Sequence, residues 1–250
     1  MALAGPDWLT ARPVAHRALH DAAAGIIENM PSAVDAAIAG RYAIEVDVQM
    51  SADGEAMVFH DDDLDRLTLA TGPVKALTAR ALQSIEFRGT TDRMMSLPDL
   101  LQRVAGEVPL VIELKSHFDG DDAVAVRSCE LLAAYAGPAA LMSFDPELVV
   151  ASRRLAPHIA RGITMERRYD DPEWAPLSAT TKFSWGNLLH FPRTRPNFVA
   201  HYVKELPAPA PWLARNLLGL PLLAWTVRTE ADRATARAHA DQMIFEGFRP

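Results

Sequence analysis

Eight short runs rich in apolar and β-branched residues recur along the chain, separated by stretches whose apolar residues repeat with helical period. The runs are Pro13–Ala18, Tyr42–Met50, Val108–Lys115, Ala139–Phe144, Ile159–Met165, Asn197–Val203, Pro221–Val227 and Gln242–Glu246. Helical period marks Ser32–Ala39, Leu97–Ala105, Asp122–Ala136, Pro146–Leu155, Trp212–Leu218 and Glu230–Ala240. A helix between two strands implies a parallel crossover, and eight parallel strands is the count that closes a barrel. No linker or low-complexity stretch divides the 250 residues, a length typical of one such barrel. The expected fold is an α/β, TIM-like (β/α)8 barrel, a single domain over residues 1–250.

One segment breaks the alternation. After the run ending at Met50 come Ser51-Ala52-Asp53-Gly54-Glu55 and then Ala56-Met57-Val58-Phe59-His60. Asp-Gly between two β-like runs predicts a β-hairpin extension after the second strand, with a two-residue loop. In that register Ala52 faces Glu55 and Asp47 faces His60, and directly paired residues share a face of the sheet.

Side-chain alternation also groups the acids. Glu45 and Asp47 share one face of their strand, and Val46 and Val48 share the other. In a barrel the valines pack outward against helices and the carboxylates point inward, where they repel each other and lose hydration unless a cation or protons intervene. The run Val108–Lys115 repeats the pattern, placing Glu113 and Lys115 on one face of the adjacent strand. Three carboxylates form an oxygen-only site suited to one hard divalent cation, Mg²⁺ or Ca²⁺. Lys115 suits a phosphate as a point charge, or else an internal salt bridge to Glu113. His16-Arg17 closes the first strand, where barrel enzymes carry catalytic groups; the imidazole suits proton transfer near neutrality and the guanidinium fork matches phosphate oxygens.

Composition excludes some partner classes. A formal net charge of -7 argues against nucleic acid, which attracts basic surfaces, although a cation and local bases can reverse the sign within one pocket. Cys129, the one cysteine, has no partner for an internal disulfide and reads as a small buried apolar residue of a helix. The stretch Met1–Trp8 lacks the basic start and apolar core of a signal peptide, and Trp212–Val227 is interrupted by Arg215, Asn216, Gly219 and Pro221. A cytoplasmic protein without a membrane span is expected, and a homo-oligomer is compatible with this composition.

His16-Arg17, Glu28-Asn29, Glu45-Val46-Asp47, Asp53-Gly54, His60-Asp61, Leu97-Pro98 and Glu113-Leu114-Lys115 occur in the order and approximate spacing of the glycerophosphodiester phosphodiesterases. Weaker echoes follow in Ser143-Phe144-Asp145 and Trp225-Thr226-Val227. By this resemblance, which spans nearly the whole chain, the expected reaction releases glycerol 3-phosphate and an alcohol from a small glycerophosphodiester. The resemblance implies His16 and His60 as general acid and base, and Glu45, Asp47 and Glu113 as ligands of one divalent ion. It implies Arg17 and Lys115 as phosphate contacts and Trp225 as a stacking surface for the glycerol carbons. It also implies attack by the glycerol 2-hydroxyl and a cyclic phosphate that water then opens.

The sequence departs from the family pattern at Ala18 (usually glycine), Ile27 (usually proline), Met30 (usually threonine) and in the ending Phe245-Glu246-Gly247-Phe248-Arg249-Pro250. None of these touches a proposed acid or base, so they bear on the alcohol and on the path of the first loop. His117 and most of the Asp61, Asp62, Asp63 and Asp65 run read as solvated loop, and Phe183–Pro196 as a loop over the site or a long surface connection. The alternatives are a lysophospholipase D or sphingomyelinase-D-like activity, which needs an apolar rim for acyl chains, and a non-catalytic phosphate-binding barrel. Retention of two histidines argues against the last, because binding alone needs no proton transfer.

Overall fold

A computed structural model describes residues 5–171 and 174–250; Met1–Ala4, the start of the stretch expected to lack a leader, fall outside it, as do Pro172 and Glu173. The strands are β1 (Val14–Ala15), β2 (Ala43–Met50), β3 (Ala56–Val58), β4 (Leu110–Leu114), β5 (Ala139–Ser143), β6 (Ala160–Met165), β7 (Phe198–Tyr202), β8 (Leu222–Val227) and β9 (Gln242–Phe245). Parallel pairing runs β1-β2-β4-β5-β6-β7-β8-β9 and returns to β1, which closes an eight-stranded barrel. The ninth strand, β3, lies antiparallel on the end of β2.

The helices are α1 (Pro31–Ala39), α2 (Ala79–Ser84), α3 (Leu97–Val104), α4 (Ala123–Leu132), α5 (Pro146–Leu155), α6 (Ala179–Gly186), α7 (Phe191–Thr194), α8 (Pro209–Leu218) and α9 (Glu230–His239). Capping boxes start α3 (Ser96 with Asp99) and α9 (Thr229 with Asp232), satisfying the free N–H groups of each first turn. α8 begins earlier than its apolar period suggests, because proline suits the first turn of a helix. The segment Phe183–Pro196, expected as a loop or connection, contains α7 and the second half of α6. Cys129 is buried in α4, and burial pushes its thiol up to about 11, so it behaves as a small apolar residue.

Inward-facing positions form a ladder from floor to mouth. At the floor sit Val14, Ala43, Val111, Ala140, Phe198, Leu223 and their apolar neighbours, one buried cluster inside the barrel. Two residues further along each strand the same face carries His16, Glu45, Glu113, Met142, Ala200 and Trp225. Val46, Val48 and Ile112 face outward into the larger core beneath the helices. The barrel is thus filled below and chemically equipped above, at the C-terminal ends of its strands.

Phe198 fills the floor because its neighbour on β6 is Gly162, where a Cβ would collide with the Phe198 ring. The ring is fully buried. Gly162→Ala is expected to cost about 1–3 kcal/mol, the range for overpacking a filled core, read as a lowered urea midpoint at unchanged slope.

The hairpin exists, but its register corrects the expectation. Gln49 pairs with Met57 and Met50 with Ala56, so Asp47 faces Phe59 rather than His60. Ser51 N–H donates to Glu55 O at 2.9 Å, which leaves a three-residue loop, Ala52-Asp53-Gly54. Only Gly54 of the Asp-Gly pair is left-handed, at φ 85°, as a three-residue loop ending in glycine requires. Outside contacts hold this form: Leu77 O accepts from Ala52 N–H, and Asp53 Oδ1 accepts from Ala79 N–H at 2.8 Å.

Candidate active site

Closing the barrel brings β1 beside β2 and β9, and the first loop is built on that contact. Arg17 and Ala18 are left-handed, at φ 51° and 66°, which ends β1 at once and points two amides at Glu45. Arg17 N–H donates to Glu45 Oε2 at 2.8 Å and Ala18 N–H to Glu45 O at 2.9 Å. Ala18 therefore occupies a conformation that glycine adopts without strain. Asn29, also left-handed at φ 61°, donates from Nδ2 to Asp47 Oδ2 at 2.9 Å and fixes that carboxylate from below.

Glu45, Asp47 and Glu113 are all buried, and one ligand oxygen from each can be chosen so that all lie within 4.8 Å of one another. The register explains this: Asp47 lies directly beside Glu113 on β4, with Glu45 two residues below on the same face. Two cations balance part of the charge. Lys115 Nζ is 3.3 Å from Glu113 Oε1 and 3.8 Å from Asp47 Oδ1, and Arg17 Nε is 3.7 Å from Asp47 Oδ2.

The three acids differ in how readily they ionise. Burial, reinforced by the charges of Asp47 and Glu113, holds the Glu45 carboxyl well above the usual carboxylate range. Burial also raises Glu113, with Lys115 opposing. Burial would raise Asp47 too, but His60, Lys115, Arg17 and the Asn29 amide together hold it well below the ordinary value. The cluster is over-supplied with negative charge and oxygen donors, which is the condition a hard divalent cation relieves.

Each histidine is gripped by a carboxylate. His16 Nδ1 lies 2.6 Å from Glu246 Oε2, and His60 Nδ1 lies 2.8 Å from Asp61 Oδ1. A carboxylate only accepts, so each Nδ1 carries the proton and each Nε2 is the nitrogen available to the cavity. Burial lowers the His16 pKa, and the Glu246 hydrogen bond only partly opposes it. The grips are themselves anchored: Arg228 pairs with Glu246 at 2.8 Å, while Arg66 pairs with Asp61 and with Glu28, which also binds Arg17.

All eight residues singled out in the sequence line one cavity of about 310 Å³: His16, Arg17, Glu45, Asp47, His60, Glu113, Lys115 and Trp225. His60 arrives there despite the shifted register because β3 ends at Val58. Gln49 Nε2 donates to both Phe59 O and Asp61 O, at 3.0 and 2.7 Å, and folds the following chain back over the barrel mouth. Beyond the Trp225 ring, Phe144 stands edge-on at 5.4 Å and Tyr202 tilts at 5.3 Å. A second cavity of about 280 Å³ adjoins the first, and His60, Glu113, Lys115, Phe144 and Trp174 line both.

Three contributors were not foreseen as site residues. Glu246 lies in the altered C-terminal segment, which therefore does touch a proposed proton-transfer group; its place at the end of a barrel strand was the available signal. Asp61 holds His60 and Arg66 rather than joining its neighbours as a solvated residue. Asn29 has only its motif position to mark it.

With this geometry in hand, three comparisons bear on it. The Glycerophosphoryl diester phosphodiesterase family model matches residues 16–245. YhdW of Bacillus subtilis (strain 168), which carries glycerophosphodiester phosphodiesterase as a provisional name, is 27% identical over 222 residues, 84% of this chain and 85% of that protein. The solved structure of an Oleispira antarctica phosphodiesterase in complex with the product sn-glycerol-3-phosphate superimposes with a TM-score of 0.75 at 20% identity, covering 93% of this chain and 91% of that one. A glycerophosphodiester phosphodiesterase from Parabacteroides distasonis gives 0.73 at 19% identity over 94% and 92%. At such identities the structural likeness speaks for the barrel itself.

Proposed function

We infer, from the premise that this chain belongs to the glycerophosphoryl diester phosphodiesterase family and is a phosphoric diester hydrolase, that it releases glycerol 3-phosphate from small glycerophosphodiesters with His16 as the initial base and His60 as the initial acid. The observation that carries this reading is the pair of carboxylate-held histidines on one cavity with three buried acids. A binding protein has no use for two imidazoles so oriented. Glycerol 3-phosphate as product is supported by the Oleispira antarctica complex, whose fold this chain shares.

Glu45, Asp47 and Glu113 would hold one divalent ion, Mg²⁺ or Ca²⁺, their oxygen-only donor set and excess charge fitting such an ion. Bound there, the ion would supply Lewis-acid neutralisation of the phosphoryl oxygens. Arg17 and Lys115 attract the same oxygens from the protein side, and Trp225 offers an aromatic face to the glycerol carbons.

Position separates the two histidines. His16 lines only the inner cavity, whereas His60 lies on the wall shared with the outer one. Glycerol in the inner cavity presents its 2-hydroxyl to His16 Nε2, which accepts the proton as that oxygen bonds to phosphorus. The phosphorus–oxygen bond to the alcohol breaks, and His60, which enters the step as the imidazolium, gives its Nε2 proton to the departing oxygen, which leaves through the outer cavity. A water entering by the same path returns its proton to His60 as it opens the cyclic phosphate, and His16 protonates the released glycerol oxygen. Each proton taken is given back, so both histidines end as they began. The lowered pKa of His16 suits its part, since it favours the neutral ring that accepts a proton.

A coupled assay for glycerol 3-phosphate across a panel of glycerophosphodiesters, with and without chelator, tests this reading. Metal-dependent release from at least one small diester is expected. No glycerol 3-phosphate from any small diester, with lysophosphatidate and free alcohol formed from lysolipids, would transfer the site to a lysophospholipase D. Among the described residues no helix is long and apolar enough to cross a membrane. A cytoplasmic location belongs to this reading, and the buried Cys129 asks for no oxidising compartment.

A further inference from the structure

The outer cavity has a chemistry of its own. One wall is aromatic: the rings of Phe118 and Phe144 lie 5.8 and 4.9 Å from Trp174, tilted by 54° and 47°, so that they meet as the walls of a corner rather than a flat stack. Behind it Trp185 supports Phe118 at 5.3 Å and Tyr169 supports Trp174 at 5.2 Å. The same cavity is also lined by the carboxylates Asp61 and Asp62 and by His60 and His117.

Phe118 is held there against its backbone preference. It is left-handed, at φ 57°, which is costly for a bulky residue and persists only when its surroundings enforce it. The enforcing contacts are present: Phe118 N–H donates to Ser116 Oγ at 2.9 Å, and Ser116 Oγ donates to Asp145 Oδ2 at 2.6 Å. Asp145 is itself fixed as the cap of α5. A strained loop tied down at two points to aim one ring is a feature of ligand sites more than of plain packing.

The charges around the cavity are unequal. Asp61 is committed to Arg66 and His60, and Glu113 to Lys115. Asp62 is about two-thirds exposed, and among the described residues its one ion-pair partner is the His117 ring, at 3.9 Å. A corner of aromatic rings sharing one cavity with a weakly paired carboxylate fits an organic cation, attracted by the ring quadrupoles and by Asp62.

Resting on the hydrolytic reading above, we propose that the outer cavity is the leaving-alcohol subsite and selects alcohols bearing a quaternary or alkyl ammonium group, with Phe118, Trp174 and Asp62 as the specificity-determining residues. The shared wall supports the placement: an alcohol oxygen protonated by His60 is already at the boundary of this chamber.

The test compares glycerophosphocholine with its uncharged isostere, the 3,3-dimethylbutyl ester of glycerol 3-phosphate, and with glycerophosphoglycerol, in the coupled assay with added metal. A desolvated cation–aromatic contact implies a preference in kcat/KM of about 5- to 30-fold for the choline ester over its isostere. Asp62→Asn, an exposed and fold-neutral change, and Phe118→Leu should each shrink that ratio toward one. Tetramethylammonium should inhibit the wild type competitively and the Phe118→Leu variant several-fold more weakly, a readout that needs no turnover of a charged substrate. Equal turnover of the two esters by the wild type, or a ratio unmoved by both substitutions, would overturn the subsite while leaving the hydrolase intact. No release from any of the three diesters would instead strike the hydrolytic reading on which it rests.

Discussion

Removal of divalent metal is expected to lower turnover by on the order of 10² or more, the rate equivalent of losing roughly 3 kcal/mol of charge stabilisation in the transition state. Addition of Mg²⁺ or Ca²⁺ should restore it. The expectation follows from Glu45, Asp47 and Glu113, whose buried oxygens crowd together beside Arg17 and Lys115. Glu113→Gln keeps the volume and removes one charge; it should weaken metal binding by at least about 10- to 100-fold, since losing even an outer partner of a ligand costs that much. Full activity of protein stripped to trace metal would end this assignment.

The same cluster gives the metal effect a pH dependence. Glu45 and Glu113 have raised folded-state pKa values without metal. Groups of that kind contribute stability below their unfolded pKa and lose it as pH rises through the raised folded value. Asp47, held low, already contributes its share at neutral pH and changes little there. Metal-free protein should therefore lose stability as pH rises above the ordinary carboxylate range, and metal should relieve that loss. The rise in Tm on adding Mg²⁺ or Ca²⁺ is expected to be larger at pH 8 than at pH 5, where protons compete for Glu45.

How far the sequence reveals such a site depends on whether the relevant geometry is local. Alternation along one strand is a local property, so Glu45 with Asp47, and Glu113 with Lys115, could be assigned to shared faces before any fold was known. The barrel followed from counting strands and helices in order. The Glu246 contact to His16 is different in kind: the two residues are 230 positions apart and meet only because β9 closes against β1. Asp61 was hidden for the opposite reason, since a carboxylate next to a histidine in an acidic run looks like ordinary loop chemistry. The hairpin shows a third limit. Asp-Gly marks a turn, yet the loop length was decided by Leu77 and Ala79 reaching in from outside, and one residue of register moved with it. His60 nevertheless reached the cavity, through Gln49 rather than through pairing with Asp47.

Substitution of either histidine by alanine should lower kcat by on the order of 10²–10⁴, the range for general acid–base groups, with metal affinity changed far less because neither imidazole belongs to the carboxylate cluster. The double variant should lose little more than the worse single one, because groups serving one step are strongly non-additive. The assignment of roles adds a sharper expectation. A nitrophenyl diester leaves without a proton, so it should rescue His60→Ala and leave His16→Ala impaired in forming the cyclic phosphate. The pH profile carries the same information. His16 must be neutral to act, so activity is present above its pKa and lost as pH falls below it. Burial sets that pKa under the ordinary histidine value, and the acid limb of kcat/KM should lie correspondingly below pH 6.5. Glu246→Gln removes the charge that favours the protonated imidazole and should move that limb lower still, while also loosening the ring and reducing kcat. Rescue of His16→Ala in place of His60→Ala would reverse the two roles, and near-wild-type turnover in both single variants on a natural diester would make the histidines structural.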